Sequence, residues 1–200
     1  MSPFRAFRIH EDRRDGRAVI RAGLETLSLD ALSPGDVVIR VAWSDINYKD
    51  ALAATGAGRI LRQYPLVGGV DLAGTVAESS DPNFAPGDVV GVTGGGTSET
   101  MWGGYASRMR VKPEILFKIP KPFGPKDAMA IGTAGYTAML CVMALERHGV
   151  KPEQGEILVT GASGGVGSVA VALLSKLGFK VVASTGKAAE HAYLKQLGAS

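Results

Sequence analysis

Residues 157–171 read ILVTGASGGVGSVAV: an apolar β-branched run, a cluster of glycines, then an apolar stretch with helical spacing. A strand that turns on glycines directly into a helix is the opening of a β-α-β unit, which builds a parallel sheet. The neighbouring sequence agrees. EILVTG (156–161) reads as a strand buried on both faces, as parallel strands are when helices cover them. GGVGSVAVALLSKLG (164–178) reads as a helix ended by Gly178, KVVAS (180–184) as a second strand, and AAEHAYLKQLG (188–198) as a second helix. A third strand is expected to begin at QLGAS, where the chain stops. This β-α-β-α order is the first half of a doubly wound sheet.

The preceding sequence has a different period. PGDVVIRVAWS (34–44), VGGVDLAGTVAES (67–79), APGDVVGVTGG (85–95) and YASRMRVKPEILFKIP (105–120) are short β-branched runs set off by Gly and Pro. They predict a compact, partly closed β-barrel over residues 1–122. Pro122, Gly124 and Pro125 mark the boundary, and 123–200 forms the second domain. Between them, 126–148 is dense in Ala, Met and Leu and reads as a helix interrupted near its start by Gly132 and Gly135. The overall class is α/β.

Composition narrows the partners. Twenty-two basic against nineteen acidic residues leave a net charge of +3, with no basic run interleaved with aromatics, so nucleic acid is not expected. Cys141 is the only cysteine, which excludes an internal disulfide or a multi-cysteine zinc site; on its apolar helix it reads as a buried small hydrophobe. No signal-length apolar core stands at the N-terminus and no uninterrupted membrane-length apolar run follows, so no membrane partner is expected and the cytoplasm is the default location.

The glycine turn carries chemistry. In a dinucleotide-binding turn one glycine makes the bend, a second lets backbone approach the pyrophosphate, and a third lets helix pack on strand. Helix-N-terminal N–H groups then face the phosphates. The matching positions are Ala162, Gly164 and Gly167, with alanine in the first place. Ser163, Gly164, Gly165 and Val166 are the expected pyrophosphate site; a purely structural strand-to-helix turn is the alternative. About 20 residues beyond the turn, an NAD site carries an acidic residue for the ribose 2′-hydroxyl. Here the stretch is Ser184-Thr185-Gly186-Lys187, without a carboxylate. Hydroxyls and a lysine suit a 2′-phosphate, so NADP (NADPH) is expected on Thr185, Gly186 and Lys187, unless Lys187 is a solvated surface residue.

A β-rich domain ahead of a dinucleotide domain resembles the medium-chain dehydrogenase/reductase superfamily. Members with catalytic zinc carry Cys and His in the stretches that read here WSDINYKDALAATG and VGGVDLAGTV, and neither stretch has either residue. No metal is therefore expected. SDINYKDALA, VGGVDLAGTV, WGGYA, IGTAGYTAMLCVMALE and VTGASGGVGSVAV together resemble the zinc-independent acryloyl-CoA reductase and quinone oxidoreductase subgroup. The resemblance implies a GroES-like barrel followed by a Rossmann domain, NADPH, and hydride transfer to the C=C bond of an enoyl thioester. It places Tyr48 against the nicotinamide, as a contact or a catalytic group, with a barrel-edge aromatic as the plainer reading. Thr133 and Tyr136 lie on the joining helix, where nicotinamide contact and helix packing are both open. Arg59 and Arg62 could meet a CoA phosphate or be solvated charge; Asp50 reads as a cap. The substrate is a small molecule, an enoyl thioester or a quinone, and the full-length form is expected to be a homo-oligomer. Family members are longer, so the chain is expected to be a fragment. The alternatives are a quinone or activated-alkene reductase and a non-catalytic nucleotide-binding protein.

Overall fold

The computed structural model describes residues 3–200. It divides into two compact units, one ending at Thr133 and the other beginning at Ala134.

The first unit opens with a long hairpin, β1 (Phe4–Arg14) and β2 (Arg17–Leu27), turning through Asp15 and Gly16, both with positive φ. β1 also pairs with β4 (Leu66–Val67). A five-stranded sheet follows in the order β7-β3-β5-β6-β8, from β3 (Val37–Trp43), β5 (Asp71–Ser79), β6 (Val89–Thr93), β7 (Arg108–Val111) and β8 (Phe117–Lys118). Phe7 N donates to Tyr105 O and Ser107 N to Arg5 O, stitching β1 to the run that enters β7. The two sheets wrap one core in which Ile9, Val37, Ile39, Leu72, Val90, Val92 and Met109 are fully buried. Burying one such side chain contributes roughly 1.5–3 kcal/mol. The run 67–79 divides at Gly68 and Gly69, between β4 and β5, where Gly69 takes φ +97°. α1 (Tyr48–Thr55) follows β3 and stops at Gly56, in the left-handed conformation.

α2 (Pro125–Arg147) is broken at Gly132, whose φ of 52° and ψ of −165° are not helical. Gly135 stays inside the helix. The break, rather than the Pro122–Pro125 stretch, lies at the division between units. Ahead of it Ala128 and Met129 pack on Ala73 and Ile119 of the barrel, and Thr133 bonds Asp71. Residues 123–133 thus belong by contact to the first unit. α2 is long and apolar enough to cross a membrane by length and composition, but its two pieces are core elements of separate units.

The second unit pairs β9 (Glu156–Thr160) with β10 (Lys180–Ser184) in parallel, joined by α3 (Gly165–Lys176). α4 (His191–Gln196) follows a short 3-10 turn. Ala199 forms a parallel bridge to Val181, and Ser200 N donates to Val181 O. Val142, Ala162, Val171, Leu174, Phe179, Val181 and Leu194 form the core. Two expectations fail here. Leu158 of β9 is 62% exposed, because a two-stranded sheet is too small to cover both faces. Cys141 is exposed; the next residue, Val142, is the one turned into the core.

Candidate functional site

In the second unit the bend after β9 is made by Gly161, at φ +60°, and not by Ala162. Ala162 is fully buried in the core, and its N–H donates to Ser184 O. The alanine in the first motif position is therefore a packing residue, and the conformational demand sits one residue earlier. Gly167 fills the third role: a Cβ there would collide with Gly161 O and lie 2.8 Å from Ala162 Cα. A Cβ on Gly164 would meet only Gly161 O, at 3.3 Å, so backbone is open to a ligand there. Gly164 caps α3 without a side-chain bond, and the first turn holds no acidic residue. The leading N–H groups of a helix have no intrahelical acceptor, so this end suits an anion.

The tip of β10 is tied to the turn. Ser163 Oγ and Thr185 Oγ1 lie 2.9 Å apart, and Lys187 N donates to Thr185 Oγ1 at 3.2 Å. Ser163, Gly164, Gly165 and Val166 are thus brought together with Thr185, Gly186 and Lys187, and Lys187 is exposed. The residues present fit a dinucleotide carrying a 2′-phosphate: open backbone at the helix start, hydroxyls and an ammonium at the strand tip, and no carboxylate between 184 and 187.

In the first unit, Tyr48 opens α1 and is 80% exposed. Its helix starts on a capping box: Asn47 side chain caps the first turn while Asp50 Oδ2 accepts Asn47 N at 2.8 Å. Asp50 Oδ1 accepts Val70 N, so this buried carboxylate is a cap and a loop tie, as the sequence suggested. Arg59 and Arg62 are both exposed.

A polar cluster that sequence reasoning missed surrounds the helix break. Asp71, fully buried at the start of β5, accepts Thr133 N at 2.8 Å, Thr133 Oγ1 at 2.5 Å, Gly94 N at 3.2 Å and Asn47 Nδ2 at 3.0 Å. It thereby caps the helix that resumes after Gly132. Asn47 Nδ2 also donates to Asp45 Oδ1 at 2.9 Å, and Tyr105 Oη donates to Asp45 O at 2.9 Å. A Cβ at Gly132 would collide with Asp45 Oδ2 and stand 3.2 Å from Asp71 Oδ2. Thr133, expected at the cofactor, is placed by Asp71. The available sequence signal was a carboxylate opening an apolar strand in VGGVDLAGTV.

Burial, a hydrogen bond to Asp71, and the charges of Asp71 and Asp50 push the half-buried Asp45 carboxyl up to about 7. Burial and the charge of Asp50 also raise the Tyr105 phenol. A carboxyl raised from 3.8 to about 7 on folding contributes stability that is fully present below 3.8 and lost as pH rises through 7. Asp45→Asn cannot ionise and is expected to flatten that decline in thermal melts between pH 4 and 8. An unchanged pH profile would contradict this assignment.

A β-rich unit is followed by a glycine-turn parallel unit. Residues 33–121 match the alcohol dehydrogenase GroES-like domain model. The solved structures that the chain resembles are medium-chain dehydrogenase/reductase oxidoreductases. The chain is 54% identical over 189 residues to the probable acrylyl-CoA reductase AcuI of Escherichia coli, covering 94% of this chain and 58% of that protein. The yhdH oxidoreductase of Salmonella enterica, solved in complex with NADP, superposes with a TM-score of 0.92 at 51% identity, covering 98% of this chain and 59% of that one. The yhfP protein of Bacillus subtilis, solved with NAD bound, superposes with a TM-score of 0.93 at 44% identity, covering 100% of this chain and 60% of that one; the YhfP sequence, named a putative quinone oxidoreductase, is 49% identical over 177 residues. The chain thus spans about three fifths of the length of these relatives.

Proposed function

We propose that this chain is the barrel and the first half of the nucleotide domain of an NADPH-dependent reductase acting on the C=C bond of acryloyl-CoA or a related α,β-unsaturated thioester. The observation that carries this reading is the coupling of Ser163 to Thr185, beside Lys187 and without a carboxylate. The 54% identity to a probable acrylyl-CoA reductase supports the substrate class. In this reading the N–H groups at Gly164, Gly165 and Val166 and the Ser163 hydroxyl hold the pyrophosphate. Thr185, Gly186 and Lys187 hold the 2′-phosphate, and Tyr48 and Thr133 contact the nicotinamide. The bound cofactor supplies a hydride. The protein aligns the two carbons and places donors where enolate charge develops. Tyr48, exposed and at a helix start, is the candidate for contact with the reacting groups. The whole protein is read as a cytoplasmic homo-oligomer acting on a small molecule, with no nucleic acid, membrane or metal partner.

Reduction of quinones or activated alkenes is the second reading, favoured by the relative named a putative quinone oxidoreductase. The two separate in a substrate panel followed by NADPH oxidation, using this chain and one extended to the relatives' length. Acryloyl-CoA is expected to turn over at least about tenfold faster than small quinones, a difference of about 1.4 kcal/mol in the barrier. Prompt quinone reduction with none of acryloyl-CoA would overturn the thioester assignment.

A further inference from the structure

The first unit carries a long open sheet edge. β2 is the outer strand of the order β2-β1-β4 and pairs with β1 alone. Among the described residues, no backbone bond outside that ladder reaches 17–27. The other outer strands of the first unit are short: β4 has two residues, β7 four and β8 two, whereas β2 has eleven. Short strands, prolines and bulges are the usual means of keeping an edge from pairing with another chain. β2 has no proline, and its register with β1 runs unbroken from Phe4 opposite Leu27 to Arg14 opposite Arg17.

The direction of the free backbone groups follows from β1. Phe7 N donates to Tyr105 O, Phe7 O accepts Gly68 N, and Arg5 O accepts Ser107 N. Arg5 and Phe7 thus turn their peptide groups away from β2. Their opposites, Thr26 and Leu24, therefore turn theirs to the open edge, and by alternation so do Ala22, Ile20 and Ala18. These side chains share one face of the strand, and Ala18, Ile20, Ala22 and Leu24 make it apolar. Ala18 is exposed, and Leu24 is 63% exposed.

We propose that this edge pairs with itself: a second copy of the chain adds its β2 antiparallel to the first, about a twofold axis at Ala22. Such a ladder sets outward-facing residues opposite outward-facing residues, so the axis falls on a residue position. Centred on Ala22, the whole of β2 pairs, 17 against 27. Centred on Arg21 or Gly23, only 17–25 or 19–27 pair, and the first of these sets Arg21 against its own copy, a like-charge pair that destabilises. With Ala22 at the axis, Ile20 faces the second copy's Leu24 and Ala18 faces its Thr26. On the other face Glu25 of each copy stands opposite Val19, with Arg17 and Arg21 as diagonal neighbours within reach of long side chains. Arg17 is in none of the ion pairs among the described residues. One strand edge is small beside a standard interface of about 1,200–2,000 Å², so the dimer is concentration-dependent. The pairing gives the homo-oligomer a surface and does not depend on the reaction catalysed.

Single cysteines read this register directly. Opposite residues of an antiparallel ladder lie about 4.5–5.5 Å apart at Cα, within the span of a disulfide, about 4.4–6.8 Å. In a Cys141→Ser background, Ala22→Cys is expected to form an intermolecular disulfide under mild oxidation. It should do so at least about tenfold faster than Thr26→Cys, whose two copies stand roughly 27 Å apart in this ladder. Mixing Thr26→Cys chains with Ala18→Cys chains should restore cross-linking between the two. In sedimentation equilibrium, Leu24→Lys is expected to weaken the dimer at least about tenfold by placing a charge on the edge. Leu158→Lys, on the exposed face of β9, is expected to leave it unchanged. No disulfide at position 22, or equal rates at 22 and 26, would overturn the proposal. A dimer lost in Leu158→Lys and kept in Leu24→Lys would overturn the surface while leaving an oligomer. A monomer at every concentration would contradict both.

Discussion

Asp71→Ala is expected to lower the stability of the chain by at least about 3 kcal/mol, read as a shifted midpoint in urea unfolding. The carboxylate is fully buried and accepts four donors drawn from α1's cap, the loop after β6, and the helix beyond Gly132. Each buried donor deprived of its acceptor costs on the order of 1–3 kcal/mol. The helix after Gly132 also loses its cap, worth about 1 kcal/mol. Loss of the Asp71 charge returns Asp45 toward the ordinary carboxylate range, so the variant's stability should vary less between pH 4 and 8. A midpoint within about 0.5 kcal/mol of the unsubstituted chain would mean that the cluster does not hold the break together.

Gly167→Val is the second large effect, and it falls on the nucleotide unit. The new side chain has no room between α3 and the turn: its Cβ alone would meet Gly161 O and sit 2.8 Å from Ala162 Cα. The obstructing atoms are backbone, which cannot rotate aside as a side chain would. Overpacking of this kind costs typically about 1–3 kcal/mol, and relief requires the helix start to move off the turn that presents its N–H groups. NADPH affinity, followed by fluorescence enhancement, is expected to fall at least about tenfold, or 1.4 kcal/mol. Gly164→Ala meets only Gly161 O, at 3.3 Å, and should perturb the fold less. Equal affinity in Gly167→Val and the unsubstituted chain would remove the close-packing role assigned to Gly167.

Local patterns made much of the fold readable. Glycine clusters and β-branched runs located β9, α3 and β10 closely, since strand, turn and helix there are consecutive and each depends on its neighbours. Gly132 was visible as an interruption, but not as the break whose space Asp45 uses. The turn glycine was placed one residue late, because the motif spacing counts from Ala162 while the positive φ belongs to Gly161. The polar cluster was not legible for a plain reason. Asn47 and Thr133 lie 24 and 62 residues from Asp71, so only the closed barrel shows that they share one carboxylate. The exposure of Leu158 likewise depends on how many strands are present around it, which its own apolar run does not state.

In the proposed function the strand tip at Ser184–Lys187 selects a 2′-phosphate. Similar chains have been solved with NADP in one case and NAD in another, so this chain's own preference is the informative quantity. The direct measurement is a pair of equilibrium titrations, NADPH and NADH, on the unsubstituted chain and on Lys187→Ala. The account predicts tighter binding of NADPH. It also predicts a selective loss in the variant of about tenfold, as for one charge-assisted hydrogen bond, with NADH affinity unchanged. Equal affinity for the two cofactors in the unsubstituted chain would contradict it.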